Sequence, residues 1–284
     1  MIPSAHRGRG PAARLAALLV LLASAPSPVA GQISGGERVA HVAINSALGA
    51  LTAGVRQSIC GCRSWHGLAQ GAAGGAAIGV GKQLAGEDFS GSGLAGRQVH
   101  ALGVSAIASA SQDHLLLLFP VGPVTVEVRP GGEKPVAARL DITDLTVLAA
   151  TAFDNEMRLD WSSTFHAGAP VLLHRGRGLA MGHEANGFAF LGTVFIMEHF
   201  SPPDRRRLVS HESIHVLQWD AFRHLATHPT ERVIVRQIPG IRRASAYLDV
   251  GLLAPASVFL VGSAIPYRRQ PWEREAYLLT GASH

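Results

Sequence analysis

The chain has 284 residues, 47% of them hydrophobic and 16% charged. That excludes a disordered protein and leaves room for one large domain or two small ones. Its two cysteines exclude a disulfide scaffold, a four-thiolate zinc site and an iron–sulfur cluster. Of the formal charge of +5, three units come from Arg7, Arg9 and Arg14 at the extreme N-terminus. The remainder is nearly neutral, so nucleic acid is not an expected partner.

Residues 1–31 read as a secretory signal peptide. A basic start is followed by the apolar run Leu15–Ala25 and by small residues around Ala30 and Gly31. The run is too short to span a bilayer. The expected location is therefore outside the cytoplasm, in a periplasm, a cell envelope or the medium. Cys60 and Cys62 follow in a Cys-Gly-Cys step. Such close neighbours fit disulfide geometry poorly, and they are read as small residues in a turn.

Residues 32–112 form a Gly/Ala-rich region expected to be helical. Ala40–Val55 carries Val42, Leu48, Leu51 and Val55 at three- and four-residue spacings. Gly67, Gly71, Gly75 and Gly79 then recur every fourth residue. On a helix they form one stripe that another backbone can approach closely. Glycine costs roughly 1 kcal/mol against alanine in a helix interior, so the stripe needs a packing reason. The expectation is a buried helix or a set of glycine turns.

Residues 113–178 alternate apolar and polar side chains and carry turn signals at 130–132 and 153–155. They read as strands in antiparallel hairpins rather than as helices. Residues 179–284 form the last region. Gly192–Met197 reads as a strand, with an edge open to an added substrate strand. Ser201-Pro202-Pro203-Asp204 carries an N-cap, a first-turn proline and a capping-box acid, and a helix is expected from there to about Leu225. Leu208, Val209, Ile214, Val216, Leu217 and Phe222 supply its buried side. Val250–Ile265 reads as a buried helix, with peripheral membrane contact as a further option. The fold class expected from this order is α+β.

His211-Glu212-Ser213-Ile214-His215 lies within the predicted helix. Residues four apart share a helix face, so both imidazoles can bind one Zn2+ at about 2.0–2.1 Å. Glu212 is placed to take a proton from a water that the ion polarises. Chance supplies roughly 0.03 such pentamers in a chain of this composition.

The pentamer helix, led in by an apolar strand, resembles the active-site helix of zincin metallopeptidases. The metzincin branch needs a glycine and a histidine further along, where this chain has Gln218 and Ala221. The gluzincin branch takes its third ligand from a glutamate on a later helix. Here Glu273, in Glu-Arg-Glu-Ala, fits that setting best and Glu275 is the second choice. The resemblance implies an exported zinc-dependent peptidase acting on a peptide or protein. Glu212 would be its general base and His211, His215 and Glu273 its metal ligands. His224, His228, Tyr267 and Tyr277 are the candidate oxyanion donors. His183-Glu184 is a weaker candidate for the site, and His100, His166, His174 and His199 read as surface or satisfied core groups. The alternative is a non-enzymatic envelope or membrane-associated protein in which the pentamer is degenerate or binds metal only for stability.

Overall fold

The computed structural model describes residues 33–61, 64–112, 115–176, 186–265 and 269–281. The predicted signal peptide, Cys62, His183, Glu184 and Tyr267 lie outside them. The chain begins with three helices, α1 (Gly35–Cys60), α2 (Trp65–Ala85) and α3 (Ser92–Ser109). Ser34 and Glu37 form a reciprocal capping box at the start of α1, and Gly61, at φ 71°, ends it in the left-handed region. Cys60 is disulfide-bonded, which corrects its reading as a plain turn residue.

The glycine stripe has a definite partner. Gly49 of α1 meets Gly71 and Gly75 of α2 backbone to backbone, and Gly79 lies against Val42. The other side of α2 is just as close to α3, where a methyl on Gly74 would sit 2.6 Å from the Gly103 carbonyl oxygen. α2 is thus a bare backbone rod held between two helices, and removal of the β-carbons is what lets them approach. Replacing Gly75 by alanine would push its methyl into the Asn45 carbonyl. Net of the roughly 1 kcal/mol that alanine gains in a helix, Gly75→Ala is expected to destabilise the chain by about 2 kcal/mol. Urea unfolding followed by circular dichroism measures it.

Residues 115–176 depart from an all-hairpin reading. Strands β1 (Leu117–Val121), β2 (Val124–Val128) and β3 (Val136–Asp141) do form an antiparallel meander. Helices replace strands at α4 (Ile142–Ala152) and α5 (Trp161–Ala167), on either side of the short strand β4 (Met157–Leu159). The reason is local. Asp141 caps α4 by accepting the Asp144 backbone N–H at 2.9 Å, a start signal that outweighs the alternation around it.

Strands β5 (Val171–His174), β6 (Gly187–Phe190) and β7 (Thr193–Met197) complete a second sheet in the order β4-β5-β7-β6. β7 is therefore internal, parallel to β5 and antiparallel to β6. Pairing with β5 and β6 closes both sides of β7, and the edge passes to β6. Leu191, at φ 57°, makes the tight β6–β7 turn, and Asp144 steadies it by accepting the Gly192 N–H at 3.3 Å.

Helix α6 (Pro202–Phe222) begins at the expected cap, with Ser201 accepting the Asp204 N–H. A π-helical turn, Arg223–Thr227, and α7 (His228–Arg236) continue it. Beyond lie β8 (Leu248–Asp249), parallel to β3, then α8 (Leu253–Ala264) and α9 (Pro271–Thr280). Val209 and Val216 of α6 bury against Val171, Leu173, Val194 and Ile196 of the second sheet. Ile214 and Leu217 pack against Ala276 and Leu279 of α9 and against Ala85 of α2. Phe222 is exposed rather than part of that side, and so are Leu252 and Leu260 around α8, which is not wholly buried. Helices and small sheets segregated along the chain make this an α+β fold. Among the described residues, no helix is long and apolar enough to cross a membrane.

Candidate metal centre

Every residue of α6 from Val209 to Leu217 is buried. A helix enclosed on all sides should be apolar throughout, yet Ser210, His211, Glu212, Ser213 and His215 fall in this stretch. Burying that many polar groups demands partners on the neighbouring elements.

The partner of the two histidines is Glu273, in the first turn of α9. Its carboxylate oxygens lie 3.5 Å from His211 Nε2 and 3.3 Å from His215 Nε2. Tetrahedral ligands bonded at about 2.1 Å to one ion stand about 3.4 Å apart. The three residues are buried, and among the described residues they are the one group of this kind whose ligand atoms converge. His211 Nδ1 has no hydrogen-bond partner among the described residues, and the one group facing His215 Nε2 is the Glu273 carboxylate at 3.3 Å. The cluster is therefore fit to hold a metal ion, with donors of the N,N,O type that suit Zn2+.

Of the two glutamates the sequence offered, the structure brings Glu273 to the histidines and turns Glu275 elsewhere. Two residues apart on a helix, they point in different directions. Glu275 accepts from Lys82 Nζ with both oxygens at 2.9 Å, from Gln218 Nε2 at 2.7 Å and pairs with His41 Nε2 at 2.8 Å. Burial would raise its carboxyl, but Lys82 and the hydrogen bonds from His41 and Gln218 hold it well below the usual carboxylate range. Gln218 is the link back to the centre. Its amide nitrogen donates to Glu275 and to the Trp272 carbonyl, and its amide oxygen lies 2.8 Å from His215 Nδ1. An acceptor there keeps the proton on Nδ1 and leaves Nε2 for a ligand bond. Gln218, Glu275, Lys82 and His41 were not identified from the sequence as one supporting set. The available signal was Lys82, a lone cation in a helix of glycine and alanine, which needs a buried acid.

Glu212 faces the second sheet. Burial pushes its carboxyl above the usual range, opposed by the positive charge of His215 and His211 and by a hydrogen bond from the Ala189 backbone. The pairing of Asn186 and Phe188 with β7 turns the N–H of Ala189 outward, so Glu212 is held at the outer side of β6, the edge strand among the described residues. Burial would push His215 down, but its hydrogen bond to Glu273 and the charges of Glu212 and Glu273 raise it to about 9. Among the proposed oxyanion donors, Tyr277 reaches the centre, its ring 4.5 Å from that of His211.

His228 does not take that role. It is held by Asp141 at 3.1 Å, with His224 packed edge-on against it. Both belong to a separate buried network. There Arg223 pairs with Asp141 and Asp144, and Arg232 bridges Asp249 and Glu127. Nearby, Arg97 clasps Asp220 at 2.8 Å and fastens α3 to the end of α6. His166 meets Ser210 at 3.0 Å, His174 pairs with Glu156 at 3.2 Å and His199 packs against Phe200, all outside the convergent cluster. Comparison of the chain with protein-family models, curated proteins and solved structures gives no match.

Proposed function

We propose that the protein is a zincin-like, zinc-dependent peptidase that works outside the cytoplasm and cleaves extended peptide segments. The observation that carries this reading is the convergence of His211, His215 and Glu273 beside the buried carboxyl of Glu212. A bound Zn2+ supplies Lewis acidity, polarising a scissile carbonyl and bringing the pKa of water down to roughly 7. The chain's own groups do the rest. Glu212, with its affinity for a proton raised by burial, takes one from water and returns it to the leaving amine. The outward backbone groups of Gly187 and the outward carbonyl of Ala189, whose N–H is engaged by Glu212, accept the substrate as an added strand and align its carbonyl with the centre. Tyr277, whose ring packs on that of His211, is the candidate donor to the oxyanion. The basic, apolar and small-residue pattern of residues 1–31 supports export.

Metal analysis of the purified chain, combined with hydrolysis of a mixed peptide pool, tests the proposal. One zinc per chain and chelator-sensitive hydrolysis are expected, with the metal lost from the His211→Ala/His215→Ala chain. Zinc without hydrolysis would make the centre structural, as in the non-enzymatic alternative. Absence of zinc after reconstitution would overturn the reading.

A further inference from the structure

The outer face of α1 has no partner among the described residues. Ile44, Leu48, Leu51, Val55 and Ile59 are all exposed, Ile59 to 83%. At 100° per residue they fall within about 80° of arc, one apolar stripe about 22 Å long. Meanwhile α1 buries a polar side, with His41, Asn45 and Gln57 turned inward. Trp65, at the start of α2, extends the stripe and is 87% exposed. An apolar groove between the two helices joins it to Leu51, Val55, Ile59 and Leu68. A patch of this extent marks a binding surface.

The sequence around the stripe indicates what covers it. No Asp or Glu occurs between Glu37 and Glu87, so this hairpin offers no carboxylate to repel an anionic surface. The chain leading into α1 carries Arg7, Arg9 and Arg14 and then the apolar run Leu15–Ala25. Residues 26–34 link that run to α1 and reach at most about 30 Å. While residues 1–31 remain attached and the run engages a bilayer, the stripe is therefore delivered to the same surface. We infer that the outer face of α1, with Trp65, is a docking surface for an anionic lipid bilayer. There the helix lies in the interfacial plane with the stripe toward the acyl chains. The inference is independent of the metal centre.

The test uses the full chain and vesicles of phosphatidylglycerol and phosphatidylethanolamine containing brominated acyl chains. The signal from Trp65 is isolated from the other three tryptophans by subtracting the Trp65→Phe chain. Quenching of Trp65 is expected. In the Leu48→Gln/Leu51→Gln/Val55→Gln chain, half-quenching should need at least about tenfold more lipid, because three apolar side chains are withdrawn from the acyl region. That loss is expected even where residues 15–25 keep the chain on the vesicle. These side chains are exposed, and unchanged circular dichroism checks that the fold is kept. An unquenched Trp65, or equal quenching in the triple variant, overturns the inference. So does a dimer in light scattering that the triple variant dissociates while Trp65 stays unquenched, because the face then binds a second copy. A Trp65 emission already blue-shifted without lipid, and restored by polar substitution of residues 15–25, assigns the face to the chain's own N-terminal segment instead.

Discussion

Glu212→Gln is expected to bind zinc as the parent does and to hydrolyse peptides about 10²–10⁴-fold more slowly, the usual worth of a positioned general base. The two side chains have nearly the same volume. Glu212 lies outside the convergent cluster, so the substitution removes a proton acceptor without removing a ligand. The amide also keeps an oxygen for the Ala189 N–H. The measurement is the steady-state rate on one peptide at matched zinc occupancy. Unchanged hydrolysis would take Glu212 out of the reaction and leave the enclosure of a carboxyl on α6 unexplained.

The second large effect separates two acids that lie only two residues apart. Glu273→Gln removes the anionic donor from the cluster, and zinc affinity is expected to fall by about 10³-fold, with hydrolysis lost at ordinary metal concentrations. Glu275→Gln leaves all three donors in place and weakens only the clasp on Gln218. A loss of about 10–100-fold in zinc affinity is expected, as for other groups that orient a ligand. It also leaves Lys82 facing a neutral amide, so its melting point should fall as well. Competition with a chromophoric chelator gives both affinities. Equal losses would show that the two carboxylates share the ion, contrary to the directions in which they point.

Parts of this arrangement are legible in the sequence because they depend on residues close together in the chain. The capped start of α6 is one, since Ser201, Pro202 and Asp204 act within a single turn. The histidine pair one turn apart is another. The glycine stripe is readable as a site of close approach, and its partner α1 is the preceding helix. Other parts depend on distant pairings that no local pattern encodes. Gly192–Met197 has the composition of a strand, yet its place inside the sheet is set by β5. The stretch after Asp141 alternates like a strand, but one side-chain cap turns it into a helix. Phe222 has the spacing of a buried residue and yet faces solvent at the last position of α6. The clasp of Lys82 on Glu275 joins residues 193 apart in the chain, and the choice of Glu273 over Glu275 rests on its distant pairing with His211 and His215.

The placement of α9 also governs when the centre can exist. During synthesis the histidine pair emerges well before Glu273, and the lysine that steadies Glu275 emerges earlier still. A nascent or clipped polypeptide ending before α9 has two imidazoles and no acid to meet them. Hydrolytic capacity would then arrive in a single late event, the docking of the tail onto Ala85, Ile214 and Leu217. Cutting the connection to that tail would be a direct way to silence the proposed activity.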